Sequence, residues 1–108
     1  MIRVTVLKDQ NLYREFSCIG HAGFDEYGQD IVCAAVSMLV INTINSITSF
    51  TKDAISVSSN EEEGRIVCQL PEAYSDGCKL LIDSMLLGIR EVSEQYGPEF
   101  ITLTIKEV

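Results

Sequence analysis

The sequence predicts an α+β domain in two layers, with elements in the order ββαββαβ and a mainly antiparallel sheet carrying both helices packed on one face. Three observations predict it. Short stretches that alternate apolar and polar residues occur in two pairs, each pair joined by a turn. Two longer stretches carry apolar residues in helical proportions. The 108 residues, 46% hydrophobic with a mean hydropathy of +0.16, suffice for one buried core, and no linker, internal repeat or low-complexity tract divides them. Residues 1–108 therefore read as a single domain.

Ile2 to Lys8 alternates as a half-buried strand does, Asp9-Gln10-Asn11 is a turn, and Leu12 to Ile19 is a second strand paired with the first as a hairpin. Gly20 to Gln29 contains glycines at 20, 23 and 28 and reads as a mobile loop. Asp30 then serves as a helix N-cap, with Ile31, Val32 and Cys33 in the first turn and the helix continuing to about Thr51. Ala34, Ala35, Met38, Leu39, Ile41 and Asn42 make it a mostly apolar helix, so it is expected to be largely covered. Ile55 to Ser59 and Arg65 to Leu70 are strands, and Asn60-Glu61-Glu62-Glu63-Gly64 joins them as a solvated hairpin tip. A second helix starts near Ser75 or Asp76. Leu81, Met85, Ile89, Val92 and Tyr96 mark its buried face, and Gly97-Pro98 ends it. Phe100 to Lys106 is the last strand, with Ile101, Leu103 and Ile105 on one face. Apolar surface left over is expected to be covered by a second copy of the chain.

The net charge is −8 and the pI about 4.4. A nucleic-acid surface needs clustered Lys and Arg, so direct nucleic-acid binding is not expected. An acidic surface confers solubility, and it also steers a basic polypeptide partner. No apolar run reaches the ~18 residues of a membrane span, and the opening MIRVTVLKDQ lacks the apolar core and cleavage site of a signal peptide. The expectation is a cytoplasmic protein that meets no membrane.

The four cysteines, Cys18, Cys33, Cys68 and Cys78, include no CxxC pair, and a reducing compartment disfavours disulfides. Cys18, His21 and Cys33 supply three candidate zinc ligands without a fourth, so no metal and no cofactor is expected. Chemistry concentrates instead between Gly20 and Ser37. A thiol at a helix start lies beside unpaired N–H groups and the positive end of the helix dipole, which favour thiolate. His21, the sole histidine, follows the second strand and is placed to act as base to Cys33 and then as acid to a leaving amine. The Asp30 cap would hold the Cys33 N–H and aim the sulfur. Ser37, one turn on, either donates to the thiolate or holds the entry of a substrate, or else its hydroxyl bonds back to the Cys33 carbonyl. Phe24 and Tyr27 either form a substrate lid or pack the loop down, and Gly23 and Gly28 favour motion. Without substrate, His21 and Cys33 are expected to stand apart. Cys68 and Cys78 read as structural, and Cys18 lies near the site without a helix terminus to activate it.

Gly20-His21-Ala22-Gly23, followed by Gln29-Asp30-Ile31-Val32-Cys33-Ala34-Ala35-Val36-Ser37, resembles the ribosomal-processing cysteine proteases called Prp. The resemblance extends over essentially the whole chain. It implies a homodimeric cysteine endopeptidase. The implied reaction removes the N-terminal extension of large-subunit ribosomal protein number twenty-seven, a basic partner, cutting after a paired-aromatic motif. It further implies Cys33 as nucleophile and His21 as base, with Gly20, Asp30 and Ser37 in supporting positions and Gly20 as a hinge. The Cys33 N–H and its neighbours are the natural oxyanion donors if the cap leaves them available. Two other readings use the same residues: a non-catalytic ribosome-associated binding module, and a thiol acyltransferase or thioesterase. An open groove favours the protease, and a closed pocket favours acyl transfer.

Overall fold

The computed structural model describes residues 1–20 and 27–108, with side chains described for 1–20 and 31–108. Seven elements follow in the order expected: β1 (Ile2–Asp9), β2 (Leu12–Ile19), α1 (Tyr27–Phe50), β3 (Ser56–Asn60), β4 (Arg65–Gln69), α2 (Asp76–Tyr96) and β5 (Ile101–Glu107). The strands form a five-stranded sheet in the order β3-β4-β2-β1-β5. The two hairpins and the β2–β4 pair are antiparallel, while β1 and β5 are parallel, so the sheet is mixed.

This order explains why both helices share a face. α1 carries the chain from β2 past β4 to β3, and α2 carries it from β4 back across the sheet to β5. β4 runs opposite to β2, and α2 crosses in the opposite sense. Crossovers of the usual right hand therefore land on one side. There the helices meet closely: a β-carbon at Gly88 would lie 3.1 Å from the Leu39 methyl carbons.

One core fills the space between the layers. Ile2, Val4 and Val6 of β1 point into it, as alternation requires. In β2, Tyr13 and Phe16 are both buried despite their odd spacing. The register slips between Leu7 and Lys8, opposite Glu15 and Tyr13, so Arg14 is the extra residue of a bulge and the alternation changes phase there. On β5, Ile101 is fully buried, Leu103 half-buried and Ile105 44% exposed, because burial fades along the edge strand.

The helices correct two expectations. On α1 the sheet-facing stripe is Val32, Cys33, Val36, Val40, Ile44 and Ile47, whereas Ala34, Met38, Ile41 and Asn42 are exposed, Met38 at 66%. The helix is apolar all round, so composition alone does not identify the stripe that packs. Its Ile31–Phe50 segment is also long and apolar enough to cross a membrane, which corrects the reading that no segment is. Here one side of that segment packs on the sheet, as in the core helix of a globular domain. On α2, Met85 and Ile89 are buried as expected, joined by Cys78, Ile82 and Leu86, while Leu81, Val92 and Tyr96 flank them half-buried.

Local polar bonds set the ends. Ser75 caps α2: its Oγ accepts the Cys78 N–H at 3.1 Å and donates to Asp53 Oδ2 at 2.6 Å, and its own N–H donates to Asp53 Oδ1 at 3.0 Å. Gly97 closes the helix with a positive φ, donating its N–H to the Ser93 carbonyl. Gly20 follows β2 with φ +149°, its N–H donating to the Gly64 carbonyl at 3.1 Å. A β-carbon at Gly20 would stand 2.8 Å from Ile2 Cα and 2.9 Å from the Met1 carbonyl oxygen, both backbone atoms.

Two outcomes follow from these ends. Gly20→Ala destabilises the fold by about 1–3 kcal/mol in urea titration, since neither the dihedral nor the backbone contact yields cheaply. Ser75→Ala costs about 1 kcal/mol. The hydrogen bond from the Ser75 hydroxyl holds the Asp53 carboxyl below its usual pKa of 3.8. Its contribution is therefore present above that value and lost as pH falls through the lowered one. Acid melts of Ser75→Ala accordingly show a shallower loss of stability below pH ~4 than wild type.

Candidate active site

The end of β2, the start of α1 and the tip of the β3–β4 hairpin meet at one end of the sheet. The antiparallel β2–β4 register pairs Ile19 with Arg65, so β4 begins where β2 ends, and the Gly20–Gly64 hydrogen bond fastens the hairpin tip there. His21, Gly23 and Phe24 lie outside the described residues, and so does the expected separation of His21 from Cys33. Tyr27, Gly28 and Asp30 lie in the first turns of α1.

The start of α1 overturns the expected cap. The helix begins at Tyr27, which makes Asp30 its fourth residue and not its N-cap, and Cys33 its seventh and not its third. The reading of Gly28 as loop overlooked that glycine costs a helix only about 1 kcal/mol, which neighbouring turns can absorb. The chemical consequence is direct. The Cys33 N–H, at the seventh helical residue, falls within the ordinary i to i−4 ladder, so Asp30 does not cap it. Any dipole effect on its sulfur is also weaker than at the first turn.

Cys33 is 1% exposed, on the stripe of α1 that packs against the sheet. Cys18 of β2 is its neighbour. Burial, and then the Cys33 thiol beside it, push the Cys18 thiol up to about 11. Burial likewise pushes Cys68 up to about 12, with Cys78 adding to the effect, and Cys78 up to about 11, with Asp53 adding. These three thiols are held protonated at neutral pH and so are poor nucleophiles, consistent with structural roles.

Ser37, one turn beyond Cys33 and half-buried, opens onto a groove of about 230 Å³. Ser37 and Ile41 line it on the helix side and Asn60, Glu61 and Arg65 on the hairpin side, with Ile66 of β4 and Gly20 completing the lining. Gly20 thus has a clearer role than a hinge: it lets β2 finish against the Met1–Ile2 backbone. The hairpin wall is internally braced, because Asn60 Oδ1 accepts the Glu63 N–H at 3.2 Å and Glu63 pairs with Arg65 at 3.2 Å. The sequence reading left this wall out of the site and treated it as a solvated tip. The pairing of β4 with β2 was the missing signal, and no local motif encodes it. Chemically, the arrangement offers a polypeptide an open groove one helical turn from a thiol on a fixed scaffold.

Comparisons with known proteins match the chain over nearly its whole length and in its fold. The family described as "Cysteine protease Prp" matches residues 1–102. The "Ribosomal processing cysteine protease Prp" of Staphylococcus aureus is 28% identical over 107 residues, covering 98% of this chain and 100% of that protein. The crystal structure of Prp from S. aureus in complex with a substrate peptide superposes with a TM-score of 0.89 at 27% identity, covering 98% of this chain and 100% of that one. The same enzyme with a covalently linked product peptide gives 0.86 at 28% identity over the same shares. With a family match over almost its whole length and the fold reproduced, the chain belongs to the cysteine protease Prp family.

Proposed function

We propose that this chain is a cytoplasmic endopeptidase that removes the N-terminal extension of large-subunit ribosomal protein number twenty-seven, cutting after a paired-aromatic motif. The observation that carries the reading is the likeness to the S. aureus protease, solved with a substrate peptide and with a covalently linked product peptide. Here the candidate nucleophile is Cys33, the cysteine of the segment that resembles the family, one turn from Ser37, which lines an open groove. Such a groove favours a polypeptide over a small acyl group.

In the proposed mechanism His21 takes the Cys33 proton as sulfur attacks the scissile carbonyl. The tetrahedral intermediate collapses, and His21 returns the proton to the leaving amine. Water activated by His21 then hydrolyses the acyl-sulfur bond and restores the thiol. The oxyanion is stabilised by donors other than the Cys33 N–H. Asp30 and Ser37 support the helix start and the groove, and Gly23, Phe24, Tyr27 and Gly28 belong to the substrate loop. No metal or cofactor takes part.

The proposal includes a homodimer, with no role for nucleic acid or membrane. From Ile31 to Thr51 no residue is charged, although the chain as a whole carries −8. The outer face of α1, with Met38 66% and Phe50 80% exposed, is therefore suited to a second copy. Sedimentation equilibrium returning the mass of one chain would overturn the dimer.

The test of the activity is cleavage of a peptide spanning a ribosomal-protein N-terminus with paired aromatics, read by mass spectrometry. Wild type makes one cut after the aromatics. Cys33→Ala lowers the rate by about 10³-fold or more, as removal of a nucleophile does. Cys18→Ala, which removes the neighbouring protonated thiol, retains the cut. No cleavage by folded wild type under reducing conditions would contradict the proposal, as would loss with Cys18→Ala and not with Cys33→Ala.

A further inference from the structure

The groove has a sign of charge as well as a shape. Among its described lining residues only Glu61 and Arg65 are charged, and both belong to the β3–β4 hairpin. Arg65 is held by Glu63 at 3.2 Å. The ion pairs among the described residues are Glu63–Arg65 and Lys79–Asp83, so Glu61 belongs to neither. Its carboxylate is exposed at the rim and gives that wall an uncompensated negative charge. Ile66 and Ile41 offer apolar surface in the same groove, Ile41 at 42% exposure. Glu61 lines the same groove as Ser37, which is one turn of α1 from Cys33. The bracing of the tip by Asn60 and the Gly20–Gly64 bond keeps it there.

We propose that Glu61 is a specificity-determining residue: it receives a lysine or arginine side chain of the cleaved polypeptide, a few residues from the scissile bond, while Ile41 and Ile66 seat an apolar neighbour. This rests on the protease reading above. The occupant is fixed by continuity with the Cys33 site and by charge, since an acidic wall on an acidic chain repels nucleic acid and acidic peptides alike. Glu62, adjacent in sequence, does not line the groove and contributes only to the general field.

The experiment compares kcat/KM for peptides that carry Lys or Glu at each of the positions flanking the scissile bond. Wild type prefers Lys at one such position by about two- to five-fold, the size of an exposed ion pair. Glu61→Gln removes that preference and Glu61→Lys reverses it. Glu62→Lys, with the same change in net charge, leaves the preference in place. Folding of each variant is checked by its urea midpoint, and the exposed position makes Glu61→Gln the conservative arm. A preference unmoved by both Glu61 variants, or moved equally by Glu62→Lys, overturns the inference while leaving the protease reading intact. Failure of wild type to cut any of the peptides overturns the protease reading itself and this inference with it.

Discussion

The pairing of β4 against β2 governs everything at the site. Because Glu15 to Ile19 pairs with Gln69 to Arg65, α1 must pass over β4 to deliver β3 to the sheet edge. The same register returns the hairpin tip to the end of the sheet where β2 stops and α1 starts. A hydrogen bond from Gly20 to Gly64 then fixes the tip to the end of β2. Without that pairing Cys33 would still sit on its helix, but the groove beside it would lose a wall. Gly20 completes the constraint, since any side chain there meets the Met1–Ile2 backbone.

Within this frame the four sulfurs differ in position. Cys18, Cys68 and Cys78 are buried in the shared core and kept protonated by that burial. Cys33 is also buried, but it is one turn from Ser37, which lines the groove, and it is the nucleophile of the proposed mechanism. Activation by the helix start is weaker than the sequence implies, because two helical turns precede the sulfur. The proposed mechanism therefore leans on His21 as base.

Much of the fold was legible in the sequence because its signals are local. Alternation marked β1 and β2, glycine and polar turns marked the hairpins, and Ser75 and Gly97-Pro98 marked the ends of α2. What escaped depends on partners distant in sequence. The inner stripe of α1 was hidden in a helix apolar on every side, so Met38 and Ile41 were expected to be covered and are exposed. The start of α1 was misplaced because Gly28 and Asp30 look like a break followed by a cap, whereas the helix continues upstream to Tyr27. The parallel β1–β5 pair and the bulge at Arg14 follow from sheet assembly. At the site, the candidate pair His21 and Cys33 stood out as residue types and through the family motif. The wall formed by Asn60, Glu61 and Arg65 did not, since only the strand order brings it there.

The central claim is that Cys33, reached through this groove, is the nucleophile. The most direct measurement is to react the protein with a chloromethyl ketone peptide ending in paired aromatics and to map the modified residue by mass spectrometry. The account predicts one adduct, on Cys33, that forms more slowly when excess substrate peptide is present. An adduct on Cys18, or labelling of several cysteines unaffected by substrate peptide, would contradict it.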